Sequence, residues 1–326
     1  MSLTFGLGGI FMSKKNKTQS VQIRRAKRPL GKRIMRNWQL YVLLLPSLVI
    51  IATFKYAPMY GIQIAFRNFN FADGVTGSEW VGTKWFDYFF GSSQFWIIIR
   101  NTLALSFYSI CTFPLPIILA LILHNTPGRK FKKLVQTITY MPHFISVVVV
   151  VGMLSSFTSM NSGWINTLIA NLGGEKIDFM GSTTLYPHLY VWSGVWQSIG
   201  WNSIIYLAAL TGVNPDLHEA ATIDGASKLQ RIIHIDVPCI MPTITIMLIM
   251  RCGSIMSIGF DKSYLMQNSL NLSVSEVMST YSYKMGMLNS RYSYSTAISL
   301  FNNVINFIFL SVVNRIAKKM SGSSLW

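Results

Sequence analysis

In the stretch His218-Glu-Ala-Ala-Thr-Ile-Asp-Gly-Ala-Ser-Lys-Leu-Gln-Arg-Ile-Ile-His-Ile-Asp-Val-Pro238, a helix, a glycine stop and a second helix signal follow one another between two apolar runs. Just upstream, Asn214-Pro215 supplies an N-cap and a proline at the first helical position, and Asp216 and Glu219 put negative charge near the positive helix end. Leu217, Ala220, Ala221 and Asp224 share one face at i, i+3, i+4, i+7 spacing. Gly225 ends this helix because it enters the left-handed region without steric cost. Ser227-x-x-Gln230 then fits a capping box, so a second helix is predicted from there toward Pro238. Ala220, Ala221, Gly225 and Ala226 form a small-residue surface that another protein's backbone can approach closely. A linker helix lying on lipid is the simpler alternative, but Asp216, Glu219, Asp224 and Asp236 suit an anionic leaflet poorly.

Outward from this loop the chain is strongly apolar. A bilayer core of about 30 Å needs about 20 mostly apolar residues per helix. Six segments meet that: Leu40 to Tyr56, Phe95 to Leu123, Val135 to Phe157, Tyr186 to Thr211, Cys239 to Ile258 and Tyr294 to Val313. The expected fold is an all-α integral membrane protein of about six transmembrane helices with both termini on the cytoplasmic side. Residues 1–38 form a basic N-terminal segment, residues 39–326 the membrane domain, and residues 212–238 the loop between the fourth and fifth spans. Pro46, Pro114, Pro116 and Pro142 interrupt otherwise helical spans, a pattern membranes tolerate when neighbours satisfy the freed carbonyls.

The basic residues test this arrangement independently. With the N-terminus inside, inner segments hold nineteen Lys and Arg and outer loops six: Arg67, Lys84, Lys176, Lys262, Lys284 and Arg291. Cytoplasmic loops carry such an excess, so the loop at 212–238 is placed inside. Lys55, Arg100 and Arg251 fall within or at the edge of spans. The basic start, with no acid before Asp73, is followed by bulky Lys55-Tyr-Ala-Pro-Met-Tyr-Gly61 rather than a small-residue cleavage site, and reads as an uncleaved anchor.

Composition agrees. The chain has 326 residues, 51% hydrophobic and only 12% charged, with mean hydropathy +0.40, against about 25% charged in soluble domains. The net charge of +17 is gathered beside apolar spans, which argues for the membrane rule and against a nucleic-acid partner. Cys111 and Cys252 sit in apolar runs and Cys239 follows Pro238, so no disulfide framework is expected. No Gly-x-x-x-x-Gly-Lys-Ser/Thr occurs, and the histidines are scattered through the sequence without metal-site spacing.

The pattern Glu-Ala-Ala, three residues, Gly, nine residues, Ile-x-Leu-Pro marks importer permeases of the ATP-binding-cassette superfamily. Glu219, Ala220, Ala221, Gly225, Ile235 and Pro238 match it, with Val237 in place of the usual Leu. The likeness continues in Pro46-Ser-Leu, Phe54-Lys-Tyr-Ala-Pro-Met-Tyr-Gly61, Ala65-Phe66-Arg67 and Thr139-Tyr-Met-Pro-His-Phe-Ile-Ser146, which look like the polysaccharide branch of the carbohydrate permeases, alginate importers above all. The resemblance implies a type I importer permease of the bacterial inner membrane, with Glu219, Ala220, Ala221, Asp224, Gly225 and Ala226 docking to an ATPase. It further implies a second permease, two ATPase subunits that hold ATP and Mg, and a periplasmic solute-binding protein. No cofactor or metal is expected on this chain itself.

A sugar pathway needs hydrogen-bonding groups and aromatic faces inside the bundle. Trp192, Trp196, Ser203 and Tyr206 fall near one face of the fourth span, and Asn302 and Asn306 are i, i+4 on the sixth. Arg251, a charge inside a span, marks a functional position and can grip a uronate carboxylate bidentately. These residues equally suit interface anchoring and helix-to-helix hydrogen bonding. Alternating-access import of oligo- or polysaccharide, with alginate or another uronate favoured, is the expected function. A membrane-bound glycan-processing enzyme is the alternative. It needs paired carboxylates or a metal cluster, and four of the eleven acids lie in the loop.

Overall fold

A computed structural model describes residue 35, residues 37–322 and residues 324 and 325. Residues 1–34 and 36 of the basic segment expected over 1–38 lie outside the described residues. The chain divides into two units, Met1–Met59 and Tyr60–Trp326. In the first, helix α1 (Trp38–Ile51) carries Pro46 and passes into a π turn at Ala52–Tyr56.

In the second unit a 3₁₀ helix ending at Phe66 is followed by a two-stranded antiparallel ribbon, β1 (Arg67–Asn68) and β2 (Glu79–Trp80). Arg67 closes the intervening loop by donating to the carbonyls of Thr76 (2.9 Å) and Ser78 (2.7 Å). The remainder is helical: α2 (Lys84–Phe90), α3 (Gln94–Cys111), α4 (Pro114–Asn125), α5 (Arg129–Tyr140), α6 (Val147–Thr158), α7 (Trp164–Asn171) and α8 (Tyr186–Thr211). After these come α9 (Pro215–Ile223), α10 (Lys228–Arg231), α11 (Val237–Cys252), α12 (Phe260–Met266), α13 (Met278–Tyr283) and α14 (Tyr292–Ser321).

Each of the six segments expected to span is largely helical. Among the described residues, four helices are long and apolar enough to cross a membrane: Trp38–Phe66, Gln94–Asn125, Lys228–Cys252 and Tyr292–Lys319. Arg129–Phe144 and Val147–Thr158 are long and apolar enough only when taken together; they are bent by 97°, the geometry of one broken span or of a re-entrant pair. α8, with 26 residues, is about 39 Å long at 1.5 Å per residue. It is long enough to span, but Gln197, Asn202 and several serines lower its apolar character.

The first and sixth helices run past their expected ends, to Phe66 and Lys319 rather than Tyr56 and Val313, and two further spans differ in form. The third, expected as one rod over Val135 to Phe157, is broken: a 3₁₀ turn at Met141–Phe144 follows α5, and α6 begins afresh at Val147 with Ser146 as its cap. Pro142 cannot donate to the ladder, and Gln197 Nε2 of α8 donates 2.8 Å to the Ile145 carbonyl at the break. α8 passes unusually close here, since a Cβ on Gly200 would stand 2.2 Å from the Thr139 carbonyl oxygen. The fifth span, expected over Cys239 to Ile258, instead runs from Lys228 to Cys252 as one 25-residue helix. The π turn Ile232–Asp236 widens it just ahead of Pro238 and lets the helix continue through the proline. Beyond Cys252 the chain leaves the helix. Asn306 of α14 holds that segment, its Oδ1 accepting from Met256 N and its Nδ2 donating to Ser257 Oγ, both at 2.8 Å.

Three apolar clusters fix these helices. Phe89, Tyr281 and Tyr294, with Phe301 against them, join α2, α13 and α14. Tyr186, Val151 and Met266 join α8, α6 and α12. Ile117, Tyr206, Leu210 and Ile240 join α4, α8 and α11.

Candidate functional site: a capped loop and a basic cavity

The loop between α8 and α11 forms from local signals. Asn214 caps α9, its side chain accepting from Asp216 N at 3.1 Å, and Pro215 occupies the first turn. Gly225 has φ +78°, and the Ala226 N–H returns 2.8 Å to the Ala221 carbonyl, so the helix closes on a left-handed residue. Ser227 and Gln230 make the reciprocal capping box. Arg231 reaches back across the turn to Thr222 Oγ1 at 2.5 Å.

Glu219, Ala220, Asp224 and Gly225 are exposed, and Ala221 and Ala226 are half-buried. Two apolar side chains that a small-residue reading passes over stand beside them, Ile223 at 86% exposure and Leu229 at 65%. Their only sequence signal is their apolar character on an otherwise polar loop. His218 turns the other way, into the bundle, where its Nε2 lies 3.0 Å from Asp236 Oδ1.

A cavity of about 640 Å³ lies between α3, α8, the end of α11 and α12. Small and polar side chains form much of one wall: Gly194, Ser198 and Asn202, one above another on α8, and Ser106 and Ser109 on α3. Two cations face it, Arg251 and Lys262, and no carboxylate does among the described residues. The Arg251 guanidinium donates to Ser109 Oγ. Lys262 is 9% exposed; its Nζ donates to the Tyr190 carbonyl at 2.7 Å and sits 4.9 Å from the centre of the Tyr190 ring. Burial pushes the Lys262 ammonium down to about 8.

Of the seven residues considered for a sugar pathway, Tyr206 and Arg251 line this cavity. Trp192 and Trp196 are exposed on a neighbouring face of α8. Trp192 Nε1 donates to the Tyr108 hydroxyl at 2.9 Å, which in turn shares a 2.7 Å hydrogen bond with His188 Nδ1. Ser203 is fully buried and bonds to the Gly200 carbonyl at 2.6 Å. Asn302 has a buried Oδ1 without a hydrogen-bond partner, and Asn306 holds the segment after α11. Lys262 and the Gly194, Ser198, Asn202 row are the cavity residues that a search for aromatic groups misses. The i, i+4, i+8 spacing of small and polar residues in an apolar helix is the signal for that row.

Residues 112–322 match the family described as binding-protein-dependent transport system inner membrane component. The polygalacturonan/rhamnogalacturonan transport system permease protein YteP of Bacillus subtilis is 40% identical over 301 residues, 92% of this chain and 94% of that protein. Protein LplB of the same organism is 41% identical over 294 residues, 90% and 92% of the two chains. A chain of a bacterial alginate transporter of the ATP-binding-cassette type, solved with an alginate pentasaccharide-bound periplasmic protein, superposes with TM-score 0.83 at 36% identity, covering 91% of this chain and 99% of that one. That family is the inner-membrane transport component of such importers and not an enzyme, so the glycan-processing alternative falls. A chain that carries the capped Glu-Ala-Ala loop, matches the family over residues 112–322 and is 40% identical to a polygalacturonan/rhamnogalacturonan permease across nine tenths of both chains belongs to the binding-protein-dependent inner-membrane permeases of ATP-binding-cassette carbohydrate importers.

Proposed function

We propose that this permease carries uronate oligosaccharide, alginate or a close relative, inward by alternating access. It does so as one of two permeases served by two ATPase subunits and a periplasmic binding protein, with both of its termini in the cytoplasm. The observation that carries the coupling half of this reading is the unbroken helix Lys228–Cys252. A push on α9 is delivered through the Gly225 turn to a continuous helix whose last turn carries Arg251 at the cavity. Glu219, Ala220, Ala221, Asp224, Gly225 and Ala226 form the docking face, and exposed Ile223 and Leu229 give an ATPase groove apolar surface to bury. At roughly 25 cal/mol per Å², two such side chains supply a few kcal/mol.

The substrate half rests on charge. A cavity with Arg251 and Lys262 and no acid favours an anionic sugar, and Ser106, Ser109, Ser198 and Asn202 offer hydroxyl-matching groups. Trp192 and Trp196 supply ring faces on a surface outside that cavity, where a second permease completes the pathway. ATP closing the ATPase dimer draws the two docking loops together and opens the outer side. Hydrolysis resets it. Coupling of this kind requires the docking contacts to differ between the two states. The test is ATPase activity of the reconstituted complex with its binding protein, screened over uronate and neutral oligosaccharides. Stimulation by uronates and not by neutral sugars of equal length supports the reading, and preference for neutral sugars overturns it.

A further inference from the structure

The buried side of the docking loop carries a second constellation. His124 in the last turn of α4, His218 of α9 and Asp236 of the π turn bring one ligand atom each to within 4.8 Å of one another. Asp236 is fully buried. Its Oδ2 accepts from Asn125 Nδ2 at 2.9 Å, while its Oδ1 has no hydrogen-bond partner. His218 Nε2 lies 3.0 Å from that oxygen, within ion-pair reach, yet the contact does not have hydrogen-bond geometry. Two buried polar atoms thus stand in contact without a hydrogen bond between them. An ordinary histidine–aspartate pair would align them and would need no second imidazole.

We propose that His124, His218 and Asp236 bind a divalent transition-metal ion of the zinc class. Two imidazoles and a carboxylate suit such an ion, which takes nitrogen and oxygen ligands at about 2.0–2.2 Å and so spaces tetrahedral ligands at about 3.3 Å. The observed separations, 3.0 Å for one pair and no more than 4.8 Å for the others, close to that by shifts on the order of 1 Å. Asn125 supplies the outer contact that keeps the carboxylate turned, and a solvent molecule completes four-coordination. The ion offsets the cost of a buried carboxylate oxygen that accepts no hydrogen bond. It also ties α9 to the end of α4 and the start of α11, three elements whose relative position sets the pose of the docking face. Ligands drawn from three separate elements make the site a staple for the loop.

The experiment uses the intact importer complex, stripped with chelator, reloaded with Zn²⁺ or with Co²⁺ as the spectroscopic probe, and passed through gel filtration. The proposal expects one retained equivalent of Zn²⁺ per copy of this chain beyond that of the partner subunits, and visible Co²⁺ bands of a four-coordinate nitrogen and oxygen site. His124→Gln and His218→Gln each lower metal affinity at least about tenfold while the complex still copurifies with its ATPase. Those two variants avoid Asp236, whose replacement in a buried position endangers folding. Absence of a retained equivalent in the wild-type complex, or equal retention in both histidine variants, overturns the proposal. Metal retention is read without substrate, so failure of the uronate assignment leaves this result intact.

Discussion

Arg251 and Lys262 carry the charge of the cavity, and they hold it differently. A guanidinium keeps its proton throughout the usable pH range, so Arg251→Ala should raise the half-saturating concentration of a uronate oligosaccharide by roughly 10-fold, the value of about 1.4 kcal/mol. Uptake of a neutral sugar and assembly of the complex should change little. Transport kinetics on the two sugars check this. Lys262 titrates at about 8 because burial disfavours its charged form. Below that value the ammonium is present and attracts an anion; above it the attraction is lost. Uronate-stimulated ATPase activity should therefore fall as pH rises through about 8, and the fall should vanish in Lys262→Met. Stability moves the other way. Between about 8 and the ordinary 10.5 the unfolded chain binds the extra proton, so the Lys262 contribution to stability rises with pH across that window. Neither cation stood out equally in the sequence: Arg251 lay in an apolar run and was conspicuous, while Lys262 sat in a loop that tertiary packing buries.

The loop at 212–238 was legible because its determinants are local. Asn214, Gly225, Ser227 and Gln230 act on backbone groups within four residues, and each does what its position predicts. The bend after α5 and the length of the α11 rod were not legible to the same degree. Hydropathy averages over Pro142 without saying whether the helix resumes at 97°, and Pro238 reads as a boundary unless the π turn ahead of it is known. The histidines looked scattered because contact between α4 and the loop is made only by the folded chain. Two substitutions probe these elements. Gly225→Val places a β-branched residue at φ +78°, which costs about 1–3 kcal/mol. It should reduce copurification of the ATPase while leaving the membrane bundle folded, as read by thermal unfolding of the isolated subunit. Gly200→Ala forces a methyl to 2.2 Å from the Thr139 carbonyl oxygen. It should lower stability by about 1–3 kcal/mol by wedging α8 from α5, with ATPase docking intact below the unfolding temperature.

The Tyr60–Trp326 unit is helical, and in it one long helix links a polar loop to a basic cavity. Membrane class and helical content follow from composition and apolar runs, and family membership from a short, well-spaced motif. Which face of α8 serves the pathway does not follow, because the exposed tryptophans and the cavity row occupy different sides of one helix and only packing against α3 and α11 separates them. Sidedness rests on the distribution of Lys and Arg, so a cysteine at position 223 of a cysteine-free variant should react with an impermeant thiol reagent only from the cytoplasmic side. Coupling through the loop is tested by ATP-driven uptake of labelled uronate oligosaccharide in proteoliposomes carrying the complete importer, wild type against Ala221→Trp. Loss of most uptake, together with weakened ATPase association, is the expected result. Wild-type uptake by Ala221→Trp with its ATPase still bound would contradict it.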